Sequence, residues 1–448
     1  MRPPGHAASP LIVRVTTARS MRHNPEAFGR LDNAGNAAVV NTPFIPPRIV
    51  GALHNSPFRQ HAECYIRLLR EQGYTAHTIT QHLYLFRRFQ RWWKRRRCNF
   101  GELNEQVVDE FLKNRKRDSH DGAPKAFCRL LGIMRAAGAT PPAKLGLRTP
   151  TERIADEYRD YLRVERSFAP TTVRNYSRYV EGFLIDRFGT NAADLSRLKL
   201  AEVISFVRRM ARERNAIFTK SLIIALRSFL RYLFQHGKLE ADWAPSVPAI
   251  AHWHLTGLPK RLPGETVERI LAGCDQTTSV GRRDRAILLL LARLGLRGVE
   301  VVRLQLEDID WETAQLTVRS KKGGGSARLP LPADVGRAIA RYLRRDRPTC
   351  TCRSVFVRSV APHAALNNSA VIGLRVRAAM KRAGVKSSRQ GAHVFRHTLA
   401  SEMLRHGASL DEIARLLRHK DHDSTAIYAK VDLGALRRLV VALPGGAS

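Results

Sequence analysis

The sequence predicts a mainly α-helical chain that carries a small β-hairpin or sheet towards its C-terminal side. Over most of the chain, apolar residues recur every three to four positions, which is the spacing of amphipathic helices. The exception is a pair of β-prone runs, residues 311–318 and 326–331, on either side of a Gly-rich turn at residues 323–325. Two short runs joined in this way are typical of a β-hairpin. The pattern therefore predicts helical N-terminal domains followed by a mixed α+β domain.

Composition divides the chain into five segments, because stretches rich in Pro and Gly separate the periodic ones. We expect disorder at residues 1–56, a helical basic module at 57–120, a linker at 121–150, a second helical domain at 151–247 and a mixed α+β domain at 259–448. The first segment is rich in Pro, Ala, Asn and Arg and lacks sustained periodicity, which favours disorder. A length of 448 residues agrees with about three folded domains.

The first helical module combines an apolar seam with a strongly basic face. Phe86, Phe89 and Trp93 recur on one side of a helix, and we expect them to lie in a core. The positions around them are crowded with cations, namely Arg87, Arg88, Arg91, Lys94 and Arg95. Cations on a helix are often only a solvated face, but a face this basic favours contact with phosphate groups. We therefore predict that these five residues bind DNA.

The two helical segments also resemble each other faintly. Thr78 and Thr172 lie in similar contexts 94 residues apart, and so do Phe89 and Phe183. The similarity has two explanations, which are two copies of one small helical module or the general likeness of amphipathic helices. The sequence does not decide between them.

The charge of the chain points to a polyanionic partner. Lys and Arg number 76 against 39 Asp and Glu, which gives a formal net charge of +37 on a chain of ordinary hydrophobic content (44%). Such an excess is typical of proteins that bind DNA or RNA, because phosphate neutralisation supplies much of the affinity. The alternative is a generally basic proteome, since most of the cations are Arg.

The cysteines and apolar runs indicate a compartment rather than a function. The six cysteines are scattered, only Cys350 and Cys352 are close together, and no second pair with zinc-ligand spacing accompanies them. Free thiols in a reducing compartment are the expectation, with no metal site. The longest apolar run, residues 286–292, is too short to span a bilayer. We expect a cytoplasmic protein that associates with the nucleoid and not with a membrane.

The C-terminal region concentrates residues that bind anions and transfer protons. His393 and Arg396 are three residues apart, so a helix places them on the same face. The sequence Ser-Leu-Asp-Glu at residues 409–412 is a capping box that starts a second helix, and His419 follows the end of that helix. Tyr428 lies nine residues later on a short third helix. This spacing could bring two imidazoles, a guanidinium and a phenol together around one phosphate.

Two earlier elements supply more cations. The run Leu-Gly-Leu-Arg-Gly-Val-Glu at residues 294–300 places Arg297 just after a buried helix and Glu300 three residues further on. Lys321 and Lys322 lie at the predicted hairpin, ahead of a Pro-Leu pair at residues 330–331. Any one of these motifs alone would be weak, but they occur in one order along the chain.

Together these motifs resemble the tyrosine recombinase (phage integrase) family, over roughly residues 150–435. The family carries an Arg in an L-G-L-R-x-x-E box, a Lys in a β-hairpin, then H-x-x-R, L-G-H and a nucleophilic Tyr. The resemblance implies a helical, SAM-like core-binding domain at 151–247 and a catalytic integrase domain at 259–448. It also implies a site-specific recombinase that cuts and rejoins double-stranded DNA through a 3′-phosphotyrosyl intermediate. No cofactor is implied, and the expected assembly is a homo- or hetero-tetramer of recombinases on synapsed DNA.

The resemblance also assigns roles to individual residues. The catalytic set that it implies is Arg297, Lys322, His393, Arg396, His419 and Tyr428, with Glu300 supporting the first arginine. Two guanidiniums can each donate two hydrogen bonds to phosphate oxygens, which replaces the metal ions that other enzymes use. A neutral imidazole can accept the phenol proton, and a lysine can protonate the leaving oxygen.

Several alternatives remain open at the level of sequence. Lys321 competes with Lys322 for the hairpin position, and Arg418 stands where the family usually has Gly before the last His. The helix-like tail at residues 433–443 could dock on a neighbouring protomer or fold back on its own chain. A type IB topoisomerase-like enzyme would use the same site to relax supercoils, and a DNA-binding protein without catalysis is the other alternative.

Overall fold

The computed structural model describes residues 58–97, 99–114, 122–142, 149–189, 194–249, 261–319, 325–387 and 390–418. The predicted disorder of residues 1–56 therefore lies outside the described residues. Within them the chain is mostly helical and contains one small antiparallel sheet, which confirms the predicted fold class. The described residues form two compact units, one within 143–256 and the other from the segments 1–142 and 257–448.

The N-terminal module packs its helices around an aromatic core. Its helices are α1 (Arg59–Glu71), α2 (Ala76–Arg95), α3 (Glu105–Lys113) and α4 (Ala123–Ala136), with a 3₁₀ turn at Phe100–Glu102. Phe86, Phe89 and Trp93 are buried in this core, as the apolar seam predicts. Helix α4 belongs to the same core, although the sequence predicts a linker over 121–150. That prediction fails for residues 123–136 because Pro124, which suggests a linker, lies in the first turn of a helix, where proline is well tolerated.

The second unit is a separate helical module with its own core. Its helices are α5 (Pro150–Val164), α6 (Pro170–Phe188), α7 (Leu200–Glu213) and α8 (Ala216–Gln235), with a 3₁₀ turn at Leu195–Arg197. Thr149 and Glu152 form a capping box at the start of α5, and both α5 and α6 have proline in the first turn. The core is rich in aromatic side chains from α5, α6 and α8.

The C-terminal domain surrounds one buried helix. Its elements are α9 (Gly264–Ala272), α10 (Ser279–Leu294), α11 (Gly298–Arg303), β1 (Ile309–Asp310), β2 (Gln315–Arg319), β3 (Ser326–Pro330), α12 (Ala333–Arg345), α13 (Ser369–Arg382), α14 (Ala392–Arg405) and α15 (Leu410–Leu417). Helix α10 is apolar on nearly every side from residue 286 to residue 292 and lies in the middle of the core. A helix of that composition is stable only when neighbours cover all its faces. Helices α12 and α14 pack against it.

The sheet has the strand order β1-β2-β3, and both pairings are antiparallel. The first strand of the hairpin begins at residue 315 and not at the predicted residue 311. The reason is the side chain of Asp310, whose Oδ1 accepts hydrogen bonds from the backbone N–H groups of Glu312 and Thr313 (3.1 and 3.0 Å). These bonds fold residues 311–314 into a turn, because an Asp side chain can satisfy the backbone in place of a neighbouring strand.

Helices α14 and α15 have the ends that the sequence predicts. Ser409 caps α15 in a complete capping box with Glu412, and Gly407 follows the end of α14 with a positive φ of 89°. Within the described residues, no helix combines the length and the apolar composition needed to cross a membrane.

Candidate active site

Arg297 lies at the junction between α10 and α11. Helix α10 ends at Leu294, and Gly295 follows in the left-handed conformation (φ +56°), which turns the chain sharply. A Cβ atom at Gly295 would lie only 2.7 Å from Cδ2 of Leu417, so a larger residue there would displace its neighbour. This close approach brings the end of α15 against the segment that carries Arg297.

Glu300 binds two arginines at once. Its Oε2 accepts a hydrogen bond from the backbone N–H of Arg297 (2.7 Å), and its Oε1 accepts one from Nη1 of the same residue (3.0 Å). Nη2 of Arg418 also donates to Oε2 (2.9 Å). The side chains of Glu300 and Arg418 are 10% and 13% exposed, whereas that of Arg297 is 35% exposed. Arg297 is therefore fixed by Glu300 and still partly open to solvent.

The pKa values of Glu300 and Arg418 reflect both their burial and the charges next to them. Burial alone would raise the pKa of Glu300, but the Arg418 charge and the hydrogen bonds from Arg297 outweigh it and leave the pKa below its ordinary value. Burial lowers the pKa of Arg418, and the nearby charge of Arg297 acts in the same direction. Glu300 thus carries a stable negative charge that two cations share.

Arg418 is the contact that sequence reasoning missed. It adopts the left-handed conformation (φ +57°, ψ +49°) at the C-terminal end of α15. For a residue other than Gly this conformation costs on the order of 1–2 kcal/mol. The sequence did contain a signal, since Arg418 stands where the family usually has Gly. The backbone explains the family preference for Gly, and the bond to Glu300 explains how an arginine is tolerated there.

Arg396 connects the same two helix ends from the opposite side. Its side chain on α14 is buried, and the whole residue is only 4% exposed. Nη1 donates to the carbonyl oxygen of Gly295 (2.7 Å), and Nη2 donates to the carbonyl oxygen of Leu417. The guanidinium therefore joins the end of α10, two residues before Arg297, to the end of α15.

His393 lies in the first turn of α14 and is exposed. Gly298, the first residue of α11, lies beside that turn, because a Cβ atom there would be in ordinary van der Waals contact with the Cβ of Ala392 (3.5 Å). The structure thus brings α11, with Arg297 before it, next to the start of the helix that carries His393 and Arg396. As predicted, His393 and Arg396 belong to the same helix.

The other predicted site residues lie outside the described residues. Lys321 and Lys322 fall between β2 and β3, whose last paired residues are Arg319 and Ser326. His419 and Tyr428 follow the C-terminal end of α15. The C-terminal tail at 433–443 also lies outside the described residues, so its docking stays a prediction.

The predicted DNA-binding cations all lie on α2. Arg88, Arg91, Lys94 and Arg95 are exposed, and Arg87 is half-buried. In the parts of the chain that the structure describes, no cluster of three His, Cys, Asp or Glu side chains could hold a metal ion.

Two family descriptions match the sequence. The phage integrase family matches residues 260–433, and the phage integrase N-terminal SAM-like domain matches residues 155–237. A relative in Sinorhizobium fredii named as an integrase/recombinase is 38% identical over 404 residues, which cover 90% of this chain and 97% of the relative. Tyrosine recombinase XerA of Thermococcus onnurineus is 30% identical over 287 residues, which cover 64% of this chain and 93% of XerA.

A solved structure shows the same fold. The crystal structure of the XerH site-specific recombinase bound to its difH substrate superposes with a TM-score of 0.51 at 16% identity, and the match covers 76% of this chain and 98% of XerH. These findings define the protein as a recombinase. The chain belongs to the phage integrase family, and it is a tyrosine-type recombinase.

Proposed function

We propose that this chain cuts and rejoins double-stranded DNA at specific sites, with Tyr428 as the nucleophile and no metal ion in the reaction. The observation that carries the proposal is the junction of α10, α14 and α15. Arg396 and Glu300 tie the ends of these helices together, so Arg297, His393 and the segment leading to His419 and Tyr428 emerge next to one another.

The junction has the charge that a phosphodiester requires. Two guanidiniums, those of Arg297 and Arg418, share the single carboxylate of Glu300, and the third, that of Arg396, binds two backbone carbonyl oxygens. An excess of positive charge in a partly buried site stabilises the oxygens on which negative charge accumulates during phosphoryl transfer. Arg297 is the most exposed of the three, and we assign it the donation to those oxygens because Glu300 fixes its backbone N–H and its Nη1.

The reaction would exchange one ester bond for another. The phenolic oxygen of Tyr428 attacks the scissile phosphorus, the new bond joins phosphorus to that oxygen, and the bond from phosphorus to the 5′ oxygen breaks. The product is a 3′-phosphotyrosine and a free 5′-hydroxyl. Because the ester bond is conserved, the reverse attack by a 5′-hydroxyl of another strand rejoins DNA without ATP.

Proton transfers accompany both bond changes. A tyrosine has a reference pKa of about 10, so the phenol must lose its proton as it attacks. We assign that proton to His393, which is exposed in the first turn of α14, the helix that also carries Arg396. Lys322 would protonate the leaving 5′ oxygen, with Lys321 as the alternative, and His419 would donate a hydrogen bond to a phosphate oxygen.

The partner in this proposal is duplex DNA, and the assembly is a tetramer on two synapsed sites. The net charge of +37 supports the first part, since phosphate neutralisation provides sequence-independent affinity. The XerH structure supports it by relation, because that recombinase is bound to its difH substrate. The tetramer, the segment boundaries and the nucleoid association carry over from the resemblance to the family.

A covalent trapping assay tests the nucleophile. The substrate is a duplex from an end of the genetic element that encodes the chain, nicked near the cleavage site so that the short 5′-hydroxyl fragment diffuses away. We expect the wild-type chain to accumulate a covalent protein–DNA adduct. We expect Tyr428→Phe to form none while it binds the same duplex equally well.

Tyr179→Phe is the matched control for that assay. Tyr179 is a half-buried tyrosine of α6 whose ring packs against Phe218 at 5.2 Å, and loss of its hydroxyl should leave adduct formation unchanged. An adduct of undiminished yield with Tyr428→Phe would refute the assignment of the nucleophile.

A second assay distinguishes recombination from the topoisomerase-like alternative. Two plasmids that each carry the site are incubated with the chain, and the products are examined for exchanged segments and for relaxed circles. A recombinase gives exchanged products. Relaxation without exchange would favour the alternative.

A further inference from the structure

The two helical modules correspond element by element. Helices α1 to α4 of the N-terminal module follow the same order as α5 to α8 of the SAM-like module, and a 3₁₀ turn separates the second helix from the third in both. The second helices begin at Ala76 and Pro170, which are 94 residues apart. The correspondence extends the faint repeat that is visible in the sequence.

The buried faces of the first helices share three residues. The buried residues Ala62, Tyr65 and Leu69 of α1 and Ala155, Tyr158 and Leu162 of α5 form three identical pairs, each 93 residues apart. Burial raises the pKa of both tyrosines. Tyrosine is an uncommon residue to bury completely, so its recurrence at the same position favours common descent over a general likeness of amphipathic helices.

The second and third helices repeat a contact between rings. Phe89 of α2 packs edge to face against Phe111 of α3 at 5.1 Å, and Phe183 of α6 packs in the same way against Phe206 of α7 at 5.2 Å. Other buried pairs at matching positions are Ile79 with Val173, Leu103 with Leu198 and Val108 with Val203. Each residue of the second module lies 94 or 95 positions after its counterpart in the first, and this includes Phe183 after Phe89 and Phe206 after Phe111.

The fourth helices match along most of their buried side. Seven of the eight buried residues of α4 have a buried counterpart 99 positions later in α8, and the exception is Gly132, which matches the exposed Arg231. The seven are Ala123, Ala126, Phe127, Leu130, Leu131, Ile133 and Met134, and their counterparts are Leu222, Ala225, Leu226, Phe229, Leu230, Tyr232 and Leu233. Both helices end in the same turn. Gly138 and Gly237 have φ values of +68° and +64°.

The turn between the first and second helices is repeated as well. The backbone N–H of Tyr74 donates to the carbonyl of Leu69 (2.9 Å), and that of Phe168 donates to the carbonyl of Leu162 (2.9 Å). The residue before each donor has a positive φ, Gly73 in one module and Ser167 in the other. Helices commonly end in such a turn, so this turn agrees with the repeat, whose evidence is the matching set of buried residues.

We propose that residues 58–142 are a second copy of the SAM-like module and that its helix α2 forms an additional contact with duplex DNA. The proposal rests on the proposed function, because DNA is the substrate there. The proposal goes beyond the proposed function because it assigns DNA contact to a surface outside the catalytic and SAM-like domains.

The two copies differ most in the charge of their second helices. Helix α2 carries five Lys or Arg and no Asp or Glu, whereas α6 carries three Arg and two acidic residues. Arg88, Arg91 and Arg95 occupy one exposed side of α2, and the positions that match them in α6 are Gly182, Ile185 and Gly189. The cationic side is therefore specific to the first copy. A helix of this charge complements the phosphate backbone of a duplex, and an α-helix fits the width of its major groove.

The first copy also contacts the C-terminal domain. The backbone N–H of His363 in the C-terminal domain donates to the carbonyl of Gln72 (3.0 Å). A Cβ atom at Gly73 would lie 2.2 Å from Cδ2 of His363, so the turn must carry glycine there, whereas its counterpart Ser167 has a side chain. The first copy thus packs on the C-terminal domain, and we expect its DNA contact to lengthen the footprint of that unit.

Salt dependence of DNA binding tests the surface directly. The probe is a duplex of arbitrary sequence, long enough to contact the whole chain. Four exposed cations of α2 are replaced together in the full-length protein, namely Arg88→Gln, Arg91→Gln, Lys94→Gln and Arg95→Gln. The slope of log affinity against log salt should become shallower by about 0.9 for each phosphate contact that is lost, which is roughly 2 to 4 in total.

The matched control removes the same charge from the other three helices of the module, with Arg59→Gln, Arg70→Gln, Lys113→Gln and Lys125→Gln, all of which are exposed. Its slope should stay close to that of the wild type. An unchanged slope for the α2 variant, or an equal loss in the control, would overturn the proposal. Should the fourfold variant misfold, the pair Arg91→Gln and Arg95→Gln should give about half the effect.

Adduct formation on the nicked substrate, measured with saturating protein at low salt, separates this proposal from the proposed function. The control variant should form the wild-type amount of adduct, because it touches neither the catalytic domain nor the cationic side of α2. A wild-type chain that forms no adduct would refute the proposed function, whereas the comparison of slopes would still decide the role of α2.

Discussion

Replacing Arg418 by glycine separates the conformational role of this residue from its electrostatic role. Glycine adopts the left-handed conformation of position 418 without strain, but it cannot bind Glu300. The substitution therefore leaves the end of α15 with a relaxed backbone and without its side-chain bond to Glu300, while the backbone carbonyl of residue 418 can still accept from Nη2 of Arg297. His419 and Tyr428 follow directly along the chain, so we expect the effect on catalysis to exceed the effect on stability.

The stability change is the difference between opposing contributions. Loss of the charged hydrogen bond to Glu300 costs about 1.5–3 kcal/mol, and loss of the bond from Nη1 to the carbonyl of Leu416 costs about 1 kcal/mol. Release of left-handed strain returns about 1–2 kcal/mol. Among the described residues the buried Nε of Arg418 has no hydrogen-bond partner, and its removal returns about 1–3 kcal/mol. These contributions nearly cancel, so we expect a free energy of unfolding within about 2 kcal/mol of wild type.

The catalytic change is expected to be larger. A displacement of reacting groups by about 1 Å can lower a rate by two orders of magnitude, and we expect adduct formation by Arg418→Gly to slow roughly 10- to 100-fold at saturating DNA. Single-turnover kinetics on the nicked substrate measure the rate, and thermal unfolding measures the stability. Arg415→Ala, which removes an exposed cation from the same helix, should react at the wild-type rate. A wild-type rate for Arg418→Gly in a normally folded protein would refute the reasoning.

Four further substitutions probe the same junction. Arg396→Ala should destabilise the fold by about 3 kcal/mol or more, because two buried carbonyls lose their donor, whereas Arg297→Ala should abolish adduct formation with a much smaller change in melting temperature. Equal melting temperatures for the two variants would contradict this difference. Gly295→Ala should destabilise by about 2 kcal/mol or more in chemical denaturation, since left-handed strain adds to overlap with Leu417. Glu300→Gln tests pH dependence. The pKa of Glu300 is lowered in the fold from its ordinary 4.5, so its contribution is complete above that value and is lost as pH falls through the folded pKa. The stability gap between wild type and variant should close in acid, and a gap independent of pH would contradict the assignment.

The sequence predicts features that depend on local spacing. His393 and Arg396 fall on one helix, and the capping box at residues 409–412 starts α15, because three-residue periodicity and cap chemistry are local properties. The fold class follows for the same reason, since hydrophobic periodicity determines which faces are buried.

The sequence prediction fails where a side chain or a distant contact decides the local structure. Asp310 turns a predicted strand into a tight turn, and Pro124 starts a helix inside a predicted linker. The bond between Arg418 and Glu300 spans 118 residues of sequence, so no local pattern contains it. Arg396 is the clearest case, because H-x-x-R spacing indicates a phosphate ligand and does not reveal that the guanidinium also binds two backbone carbonyls.

Arg396 binds the carbonyl oxygens of two helix ends, and this limits how descendants of the protein can lose activity. Families of DNA enzymes often give rise to descendants that bind without cutting, and such a descendant must keep its fold after the catalytic group is gone. A change at Arg396 removes a structural cross-link together with a proposed phosphate ligand, so selection for folding would act against it even when cleavage is no longer needed. Selection for folding acts less on Arg297, because its side chain is partly exposed. We therefore expect inactive descendants to retain the arginine at position 396 after the one at 297 has been replaced.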